Sequence, residues 1–440
     1  MRYLFLVLFY IIFFKVEAQL TLSKVADMPE PVSNNAVVEG FINDTCYAFS
    51  FGGIDSTKLW SGIHLRSFRY NTITDVWDTI PSLPDTLGKI AAGASYVDSI
   101  IYIIGGYHVY ANHNEASSAK VHRYNPKTNS YLNDGMDIPV PIDDHVQAVW
   151  KDSLIYVITG WSNTGNVPNV QIYDPANDNW LTGTPTPNNN TYKAFGASGT
   201  IMGDSIYYHG GASNGLNFPC QSTLRIGHIN PTNPTQITWY FRNTPFLGYR
   251  SGCFNPFDFN QEVHWIGGSS TTYNYNGIAY NGSGSVQPSN SSIYYLRNND
   301  SINAFPLAWP LNIPMDLRGI AKIDGPYHTG LGLIAGGMDS NQVVSKKTYI
   351  IDFIITNTQK KNKLTSFKTY PNPTSSQINL LFDNVEDKTI QLIDVLGNVV
   401  LTEQNNSNNI QLNLSNYPKG VYFVKVTASN NSSTQKIIVQ

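Results

Sequence analysis

The sequence predicts an all-β protein, and composition, turn residues and an internal repeat all support this fold class. The chain has 440 residues, of which 13% are charged and 41% hydrophobic, with 34 Gly and 24 Pro. So few charges argue against a long solvated helix, a coiled coil or an acidic disordered tail. Many turn residues among apolar segments are typical of short strands. The net charge of −3 provides no basic field, so no nucleic-acid partner is predicted.

The first 18 residues have the pattern of a secretory signal peptide. Arg2 is followed by an unbroken apolar run over residues 3–14, and Ala18 offers a small residue for cleavage before Gln19. The run is too short to cross a bilayer as a helix, although an uncleaved membrane anchor is the alternative. No second long apolar stretch follows, so no transmembrane segment is expected in the mature chain.

Six apolar segments end in a glycine pair or a close variant of one. They are Tyr47–Gly53, Ile101–Gly106, Ile155–Gly160, Ile206–Gly211, Val263–Gly268 and Leu331–Gly337. Successive pairs are 53, 54, 51, 57 and 69 residues apart. Six copies at this period indicate a modular array, and β-rich units of this size predict the blades of a β-propeller.

Each unit has the pattern of four strands. A third strand ends on a tyrosine, and an aromatic residue follows seven positions later, as in Tyr70 with Trp77 and Tyr173 with Trp180. The last unit lacks a fourth strand after residues 347–353. The segment Leu22–Met28 matches the end of the other units, so we expect this N-terminal strand to complete the last blade. Such closure removes exposed sheet edges.

The glycine pair, the tyrosine and the spaced tryptophan resemble kelch repeats, over residues 19–354. The resemblance implies a six-bladed kelch-type β-propeller closed by the N-terminal strand. Thr159 replaces the first glycine of the third pair, and the fifth unit matches the repeat pattern poorly after its glycine pair. The repeated glycines and aromatics are expected to serve turns and packing.

The last part of the chain is a separate module. Residues 355–366 form a polar linker, and residues 367–440 show alternating strands that predict a small β-sandwich. The module resembles the type A sorting domain of the type IX secretion system through the segments Tyr370–Pro373, Ile393–Asn398, Tyr417–Tyr422 and Lys436–Val439. This resemblance implies the type IX secretion machinery as a partner and a secreted or cell-surface location. The alternative is an ordinary carbohydrate-binding or fibronectin-like module.

Cationic residues recur where the innermost strand of each unit should begin. Counting back from the glycine pairs gives Asn34, Lys89, Asp144, Lys193, Arg250 and Arg318. Four of these six positions are cationic in a net acidic chain, and like charges converging on one mouth repel unless an anion offsets them. This pattern predicts a site for a carboxylate or sulfate on a sugar, anchored by Arg250 and Arg318. The alternative is that protein carboxylates or carbonyls already pair with each cation.

Aromatic residues are frequent in the loops expected at the same face. The candidates for contacts with sugar rings are Trp60, Tyr107, Trp161 and Tyr273, because a ring face suits the apolar face of a sugar. The alternative is ordinary packing of the loops.

No metal site or cofactor is predicted. His108, His113 and Glu115 lie on a loop without a metal-binding spacing, and no phosphate-binding or nucleophile motif is present. Cys46 lies in an apolar strand, which predicts a buried thiol. Cys220 and Cys253 could form a disulfide, and the sequence leaves this open.

Three functions remain from the sequence. The first is a secreted or surface propeller that binds a glycan or glycoprotein. The second is an enzyme acting on an anionic sugar, similar to the kelch-type sialate mutarotases, whose catalytic residues cannot be matched here. The third is a structural or adhesive surface protein without a small-molecule site.

Overall fold

The computed structural model describes residues 18–255, 262–273, 286–289, 291–297, 300–306, 313–323, 332–355, 367–382, 387–395, 397–428 and 431–440. The predicted signal peptide and linker lie almost wholly outside the described residues. The chain divides into two compact units, one ending at Ile355 and the other containing the described residues from Phe367 onward. Both are built from antiparallel sheets.

The described residues of the larger unit form six main sheets, numbered here in chain order, and the N-terminal strand β1 (Ala18–Val25) belongs to the last of them. Sheet 1 consists of β2 (Ala36–Ile42), β3 (Thr45–Ile54), β4 (Ile63–Asn71) and β5 (Val76–Ile80). Sheet 2 consists of β6 (Ile90–Val97), β7 (Ile100–Val109), β8 (Glu115–Ser117), β9 (Val121–Asn125) and β10 (Ser130–Tyr131). Sheet 3 consists of β11 (Val146–Trp150), β12 (Leu154–Ile158), β15 (Val170–Asp174) and β16 (Asn179–Thr182), with a small hairpin of β13 (Trp161–Ser162) and β14 (Gly165–Asn166).

The remaining sheets follow the same order. Sheet 4 consists of β17 (Phe195–Met202), β18 (Ser205–Ala212), β19 (Thr223–Asn230) and β20 (Asn233–Asn243). Sheet 5 consists of β21 (Gly252–Phe254), β22 (Glu262–Ile266), β23 (Ser291–Leu296) and β24 (Ser301–Pro306). Sheet 6 contains β25 (Gly332–Ala335), and β26 (Met338–Asp339) and β27 (Val343–Val344) form a hairpin beside it. Two short 3₁₀ turns lie at Trp60–Gly62 and Ser340–Gln342.

Strand β1 pairs with the last strand of the larger unit, β28 (Thr348–Ile355). Eight residues of β1 are in antiparallel register, from Ala18 opposite Ile355 to Val25 opposite Thr348. The observed strand starts four residues before the predicted Leu22 and ends three before the predicted Met28. Sheet 6 is thus made from both ends of this unit, with the order β1, β28, β25.

Each glycine pair links its own sheet to the next one. The amide of the second glycine donates to a carbonyl just before the following sheet, and the sixth bond returns to the segment before sheet 1. The bonds run from Gly53 to Lys89 (2.9 Å), Gly106 to Ile142 (2.9 Å), Gly160 to Ala194 (3.1 Å), Gly211 to Gly248 (2.7 Å), Gly268 to Pro314 (3.2 Å) and Gly337 to Val32 (2.9 Å).

The first glycine of a pair is needed for this close approach. At Gly210, φ is +71°, and an added Cβ would lie 2.0 Å from the carbonyl oxygen of Gly248. A side chain cannot fit there without moving backbone atoms. Thr159, the exception in sheet 3, has φ of +47° and its hydroxyl instead accepts a hydrogen bond from the Ala194 amide at 3.1 Å.

The repeated tyrosine forms a clasp with a side chain five residues later. The hydroxyl donates to an aspartate or asparagine with positive φ in the turn to the outer strand. The pairs are Tyr70–Asp75 (2.8 Å), Tyr124–Asn129 (2.7 Å), Tyr173–Asp178 (2.5 Å) and Tyr295–Asp300 (2.9 Å). A buried tyrosine hydroxyl is thereby satisfied at the edge of each of these sheets.

The clasp also holds a neighbouring sheet. In sheet 3, Asp178 accepts the backbone amide of Met136 at 2.7 Å, and the Trp180 indole donates to the carbonyl of the same residue at 2.8 Å. In sheet 1, Asp75 accepts a hydrogen bond from the amide of Ala26, the residue after β1, and the Trp77 indole donates to the carbonyl of Ala26. The spacing of tyrosine and tryptophan therefore fixes contacts between sheets.

The smaller unit packs two sheets around one apolar core. One sheet consists of β29 (Lys368–Tyr370), β30 (Gln377–Leu381) and β33 (Asn409–Asn413). The other consists of β31 (Lys388–Ile393), β32 (Val399–Asn405), β34 (Gly420–Ala428) and β35 (Asn431–Val439). The core contains fully buried residues from both sheets, such as Leu380 and Val424.

The Tyr370–Pro373 segment lies along the last strand, β35. The Asn372 side chain donates to the Lys436 carbonyl and accepts from the Ile438 amide, both at 2.9 Å. Thr374 continues this contact, since its amide donates to the Ile438 carbonyl at 2.8 Å. One amide side chain thus substitutes for a neighbouring strand at the outer edge of β35.

Candidate functional site

A ring of six turn residues surrounds one end of the space between the innermost strands. Their backbones share the left-handed conformation, with φ between 47° and 65°, and they are Asn34, Ala91, Asp144, Gly196, Arg250 and Asp316. We call these six residues the turn ring. Each amide from Ala91 to Arg250 donates to the preceding member's carbonyl, at 2.8–3.4 Å. The Asn34 amide donates to the Asp316 carbonyl at 3.2 Å, and the Leu317 amide donates to the Arg250 carbonyl at 2.9 Å.

The turn ring corrects the register expected from the sequence. Asn34, Asp144 and Arg250 occupy equivalent positions, as predicted. Lys89, Lys193 and Arg318 do not, because Ala91, Gly196 and Asp316 occupy the equivalent places in their sheets. Counting from the glycine pairs failed because the second strand and its loop differ in length between units.

Charged residues from three sheets meet across the turn ring. Arg250 Nε and Nη2 donate to the two oxygens of Asp144 at 3.1 and 2.5 Å, and Nη1 donates to Asp316 Oδ1 at 3.0 Å. Arg318 Nη1 lies 3.6 Å from Asp144 Oδ1, and Nη2 donates to the His145 carbonyl at 2.7 Å. We call these four residues the arginine network. All four are buried, Arg250 and Asp316 completely.

The alternative interpretation, that protein carboxylates pair with these cations, therefore holds for Arg250 and Arg318. Asp144 contacts both arginines, and Asp316, absent from the predicted set, pairs with Arg250. Two acids and two arginines compensate one another, so the network has no net charge. Burial lowers the pKa of Arg318, against the attraction of Asp144. Arg250 is enclosed by protein acceptors and is not a free anchor for an anion.

Lys89 belongs to a different buried cluster, between sheets 1 and 2. Its ammonium group lies 2.8 Å from Asp85 Oδ2 and 3.0 Å from His122 Nε2. His122 Nδ1 is 2.9 Å from Asp134. Burial lowers the pKa of Lys89, while the carboxylate of Asp85 opposes the shift. Lys193 is half-buried on the loop before β17, where its amide donates to the Asn189 carbonyl at 3.0 Å.

The predicted aromatic platform is mostly buried. Tyr107 and Tyr273 are 4% and 2% exposed, within an apolar cluster that also contains Tyr249 and Met315. Trp161 packs against this cluster, and of the four predicted aromatics only Trp60, 36% exposed, lies largely at the surface. The alternative interpretation, packing of the loops, holds for Tyr107 and Tyr273.

Hydrogen bonds join loops of neighbouring sheets over this apolar cluster. Lys58 Nζ donates to the Gln342 carbonyl at 3.0 Å, and the Asn163 amide donates to Ser117 Oγ at 2.9 Å. Asn166 Nδ2 donates to the Ala212 carbonyl at 2.9 Å. Among the described residues, the arginine network and the apolar cluster fill the space between the sheets at this end, which we call the closed end.

A cavity of about 320 Å³ lies on the other side of the arginine network. We call it the central cavity, because the innermost strands β2, β6, β11, β17 and β21 and the segment 317–322 of sheet 6 all line it. It extends from His145 and Arg318 at its inner end to Val149, Ile201 and Asn255 near the hairpins after these strands. The sequence-based prediction placed the site at the opposite face.

Hydroxyl and amide groups line much of the wall of the central cavity. His145 Nε2 is 3.0 Å from Gln147 Oε1, and Gln147 Nε2 donates to Ser95 Oγ at 3.0 Å. Ser198 donates to the Ser251 carbonyl across the boundary between sheets 4 and 5. Burial lowers the pKa of His145 to about 3, so its imidazole is neutral near pH 7.

Sequence reasoning missed Ser95, Gln147, Ser198 and Ser251. A signal was present, since these polar residues interrupt the apolar first strand of their units. Identifying them as wall residues requires knowing which side of each innermost strand faces the axis, and this depends on the register given by the turn ring.

No disulfide joins Cys220 and Cys253. Cys253 lines the central cavity, whereas Cys220 packs against the apolar cluster at the closed end. Burial raises the pKa of the Cys253 thiol well above its usual range. Among the described residues, no group of histidine, cysteine and acidic side chains is arranged to hold a metal ion.

Two sequence families match the chain. The Kelch motif matches residues 91–131, which run from the turn ring through sheet 2. The secretion system C-terminal sorting domain matches residues 368–440, nearly the whole smaller unit.

The chain is also similar to curated proteins in sequence and to a solved structure in fold. The chain is 27% identical over 201 residues to the Kelch-like protein terF of Aspergillus terreus, covering 43% of this chain and 41% of that protein. It is 33% identical over 79 residues to the ulvan lyase NLR42 of Nonlabens ulvanivorans, covering 18% and 15%. The chain thus spans less than half the length of either relative. The structure of YjhT covers 76% of this chain and 99% of its own, with a TM-score of 0.56 at 16% identity.

The fold, the glycine-pair contacts and these matches define a β-propeller of the kelch class. The chain is a kelch-repeat protein that carries a type IX secretion sorting domain at its C terminus. This domain indicates export to the cell surface or beyond it, and interaction with the secretion machinery.

Within the part of the chain that the structure describes, no helix is long and apolar enough to span a membrane.

Proposed function

We propose that residues 19–354 form a six-bladed propeller closed by the N-terminal strand, preceded by a signal peptide over residues 1–18. Two cycles of hydrogen bonds support six blades, one through the glycine pairs and one through the turn ring. The pairing of β1 with β28 supports closure. In this division, residues 355–366 link the propeller to the sorting domain at 367–440.

We propose further that the exported propeller binds a glycan or glycoprotein, with a sugar in the central cavity. The observation that carries this proposal is the wall of hydroxyl and amide groups in a cavity of about 320 Å³. Such groups exchange hydrogen bonds with sugar hydroxyls, and this volume lies at the lower end of the range of small-molecule sites, roughly 300–1,000 Å³. The apolar backing of the strands suits the C–H faces of a sugar ring.

The ulvan lyase relative acts on ulvan, but its reaction is not carried over. The match of 79 residues is close in length to the sorting-domain match and too short to include the propeller. It favours a shared route of export and is compatible with a role at glycans.

Binding is favoured over catalysis by the titratable groups of the cavity wall. Burial lowers the pKa of His145 to about 3, so near pH 7 its imidazole is neutral and is a poor general acid or base. Glu39 accepts a hydrogen bond from the Lys322 amide at 2.9 Å and is thereby engaged in the wall. A purely adhesive role would leave the cavity unused.

A glycan array probed with the full chain tests this proposal. Thr200 lines the cavity on β17, and Thr200→Phe should fill part of it and abolish binding. Thr238→Phe, the same change at an exposed position of β20, is the matched control and should bind like the unmodified chain. Absence of binding to any saccharide, or equal binding by both variants at unchanged Tm, would contradict the proposal.

A further inference from the structure

We infer that the central cavity recognises the end of a glycan chain, taking up one terminal sugar residue rather than an internal segment. This inference rests on the proposed function and narrows its ligand class. It follows from the shape of the cavity, from what closes its inner end, and from the donors that face a ligand there.

The inner end of the cavity is blind. An internal segment of a chain must leave a site at two places, so it needs a groove or an open channel. Here Asp144, Arg250 and Asp316 bind one another across the axis and are at most 2% exposed. Behind them lies the apolar cluster of Tyr249, Tyr273 and Met315. A chain that entered between the innermost strands would stop at the arginine network.

The network is too strongly bonded to open for a ligand. Arg250 holds Asp144 through two parallel hydrogen bonds and Asp316 through a third. Removing one member of such a buried set leaves an uncompensated buried charge, which is strongly destabilising. The backbone hydrogen bonds of the turn ring hold the same residues in place.

Arg318 provides donors at the blind end. Its side chain is 5% exposed, it lines the cavity, and its Nε has no hydrogen-bond acceptor among the described residues. Asp144 Oδ1 is 3.6 Å from Nη1, and the Asp144 carboxylate already accepts two bonds from Arg250. A small rotation of the guanidinium group that keeps the bond from Nη2 to the His145 carbonyl would let Nε bind an acceptor of a terminal residue, a hydroxyl or carboxylate oxygen.

The size of the cavity agrees with a single residue. Its volume of about 320 Å³ is near the minimum for a small-molecule site. Polar wall groups are present at the inner end, since His145 and Ser251 directly precede β11 and β21, and Gln147 and Ser198 lie in the first half of β11 and β17. Several hydrogen-bonding groups of the site thus lie where only the tip of a chain arrives.

The test measures binding of the full chain to the oligosaccharides that it recognises on an array. Each oligosaccharide is compared in three forms. The first is the linear saccharide with free ends, the second is the same saccharide with both terminal residues blocked, and the third is the monosaccharide from each end as a competitor. We expect binding of the first, at least tenfold weaker binding of the second, and competition by one of the two monosaccharides.

Arg318→Lys keeps the positive charge but removes the planar guanidinium group. The affinity for the competing monosaccharide should fall by about tenfold or more, which is the effect of losing one hydrogen bond to a charged group. Arg242→Lys, at an exposed position of β20, is the matched control. Equal binding of blocked and free saccharides would overturn the chain-end inference while leaving glycan binding in place. Absence of binding to every saccharide would overturn both proposals.

Discussion

Acidic side chains at the closed end of the propeller differ sharply in their surroundings. Asp144 and Asp316 are paired with Arg250, whereas the neighbouring Asp143 is buried and accepts a hydrogen bond from Ser117 at 2.6 Å. Burial, and then the nearby Asp144, raise the pKa of Asp143 well above its usual range. The protein therefore holds an extra proton here that the unfolded chain releases.

The first prediction concerns Asp143→Asn. Because the native protein binds more protons at Asp143 than the unfolded chain does, this group lowers stability as pH rises above its unfolded pKa of about 3.9. The loss is about 1.4 kcal/mol for each pH unit until the raised native pKa is reached. Asparagine keeps the acceptor for Ser117 but does not titrate. The variant should gain stability relative to the unmodified chain between pH 4 and 7.

The measurement is urea unfolding of both proteins across this pH range. A difference in the free energy of unfolding that stays constant with pH would show that Asp143 is ionised in the native state.

Part of this residue-level detail was available from the sequence. The spacing of Tyr173 and Trp180 was recognised as a repeat signature, and Asp178 between them could have been predicted as the partner of the tyrosine hydroxyl. The pairing of Arg250 with Asp144 and Asp316 could not. Those residues are 106 and 66 positions away from Arg250, and only the arrangement of the sheets brings them together.

At the scale of elements, hydrogen bonds between neighbouring sheets explain most of the residues that recur in each unit. The glycine pair joins each sheet to the next, and the tyrosine clasp joins it to the one before, as Asp178 and Trp180 do at Met136. The sequence predicted an N-terminal strand that completes the last sheet because the sixth unit lacked its outer strand. Its limits were missed by three to four residues, since strand ends depend on the pairing partner, here β28.

The second prediction concerns removal of β1. A chain starting at Ala26 lacks the partner of β28 and exposes the backbone groups of that strand, so it should melt at lower temperature and aggregate. A chain starting at Ala18 is the control. Thermal unfolding and light scattering of both would measure the effect, and unchanged Tm and solubility would mean that β1 contributes nothing to closure.

The whole molecule combines an export module with a propeller whose closed end and central cavity lie on opposite sides of the arginine network. The sequence predicted the order of these parts from the repeat and the terminal motifs. It placed the candidate site at the end that the arginine network and the apolar cluster occupy, because it treated Tyr107 and Tyr273 as exposed and left out Asp316. The burial of the two tyrosines depends on how the sheets meet, and Asp316 was missed because the spacing between the turn ring and the glycine pair differs from unit to unit. Neither can be obtained from one unit alone.

The third prediction separates the two units. A chain ending at Ile355 should keep the thermal transition of the propeller, because each of the two units has its own apolar core. It should not pass the outer membrane, because it lacks the sorting domain. Fractionation of producing cells measures export, and normal release of the truncated chain would contradict the assignment of residues 368–440.

The proposed binding of a saccharide in the central cavity is tested most directly through Cys253. This thiol lines the cavity, whereas Cys220 lies at the closed end and serves as a control in the same molecule. Methylthiolation by a small uncharged reagent would be run at about pH 9 to 10, because burial raises the pKa of both thiols and the thiolate is the reacting form. The reaction would be followed by mass spectrometry with and without a saccharide that the protein binds on the array. We predict that saturating saccharide slows modification of Cys253 at least tenfold and leaves Cys220 unchanged. Equal rates at Cys253 with and without bound saccharide would contradict binding in the cavity.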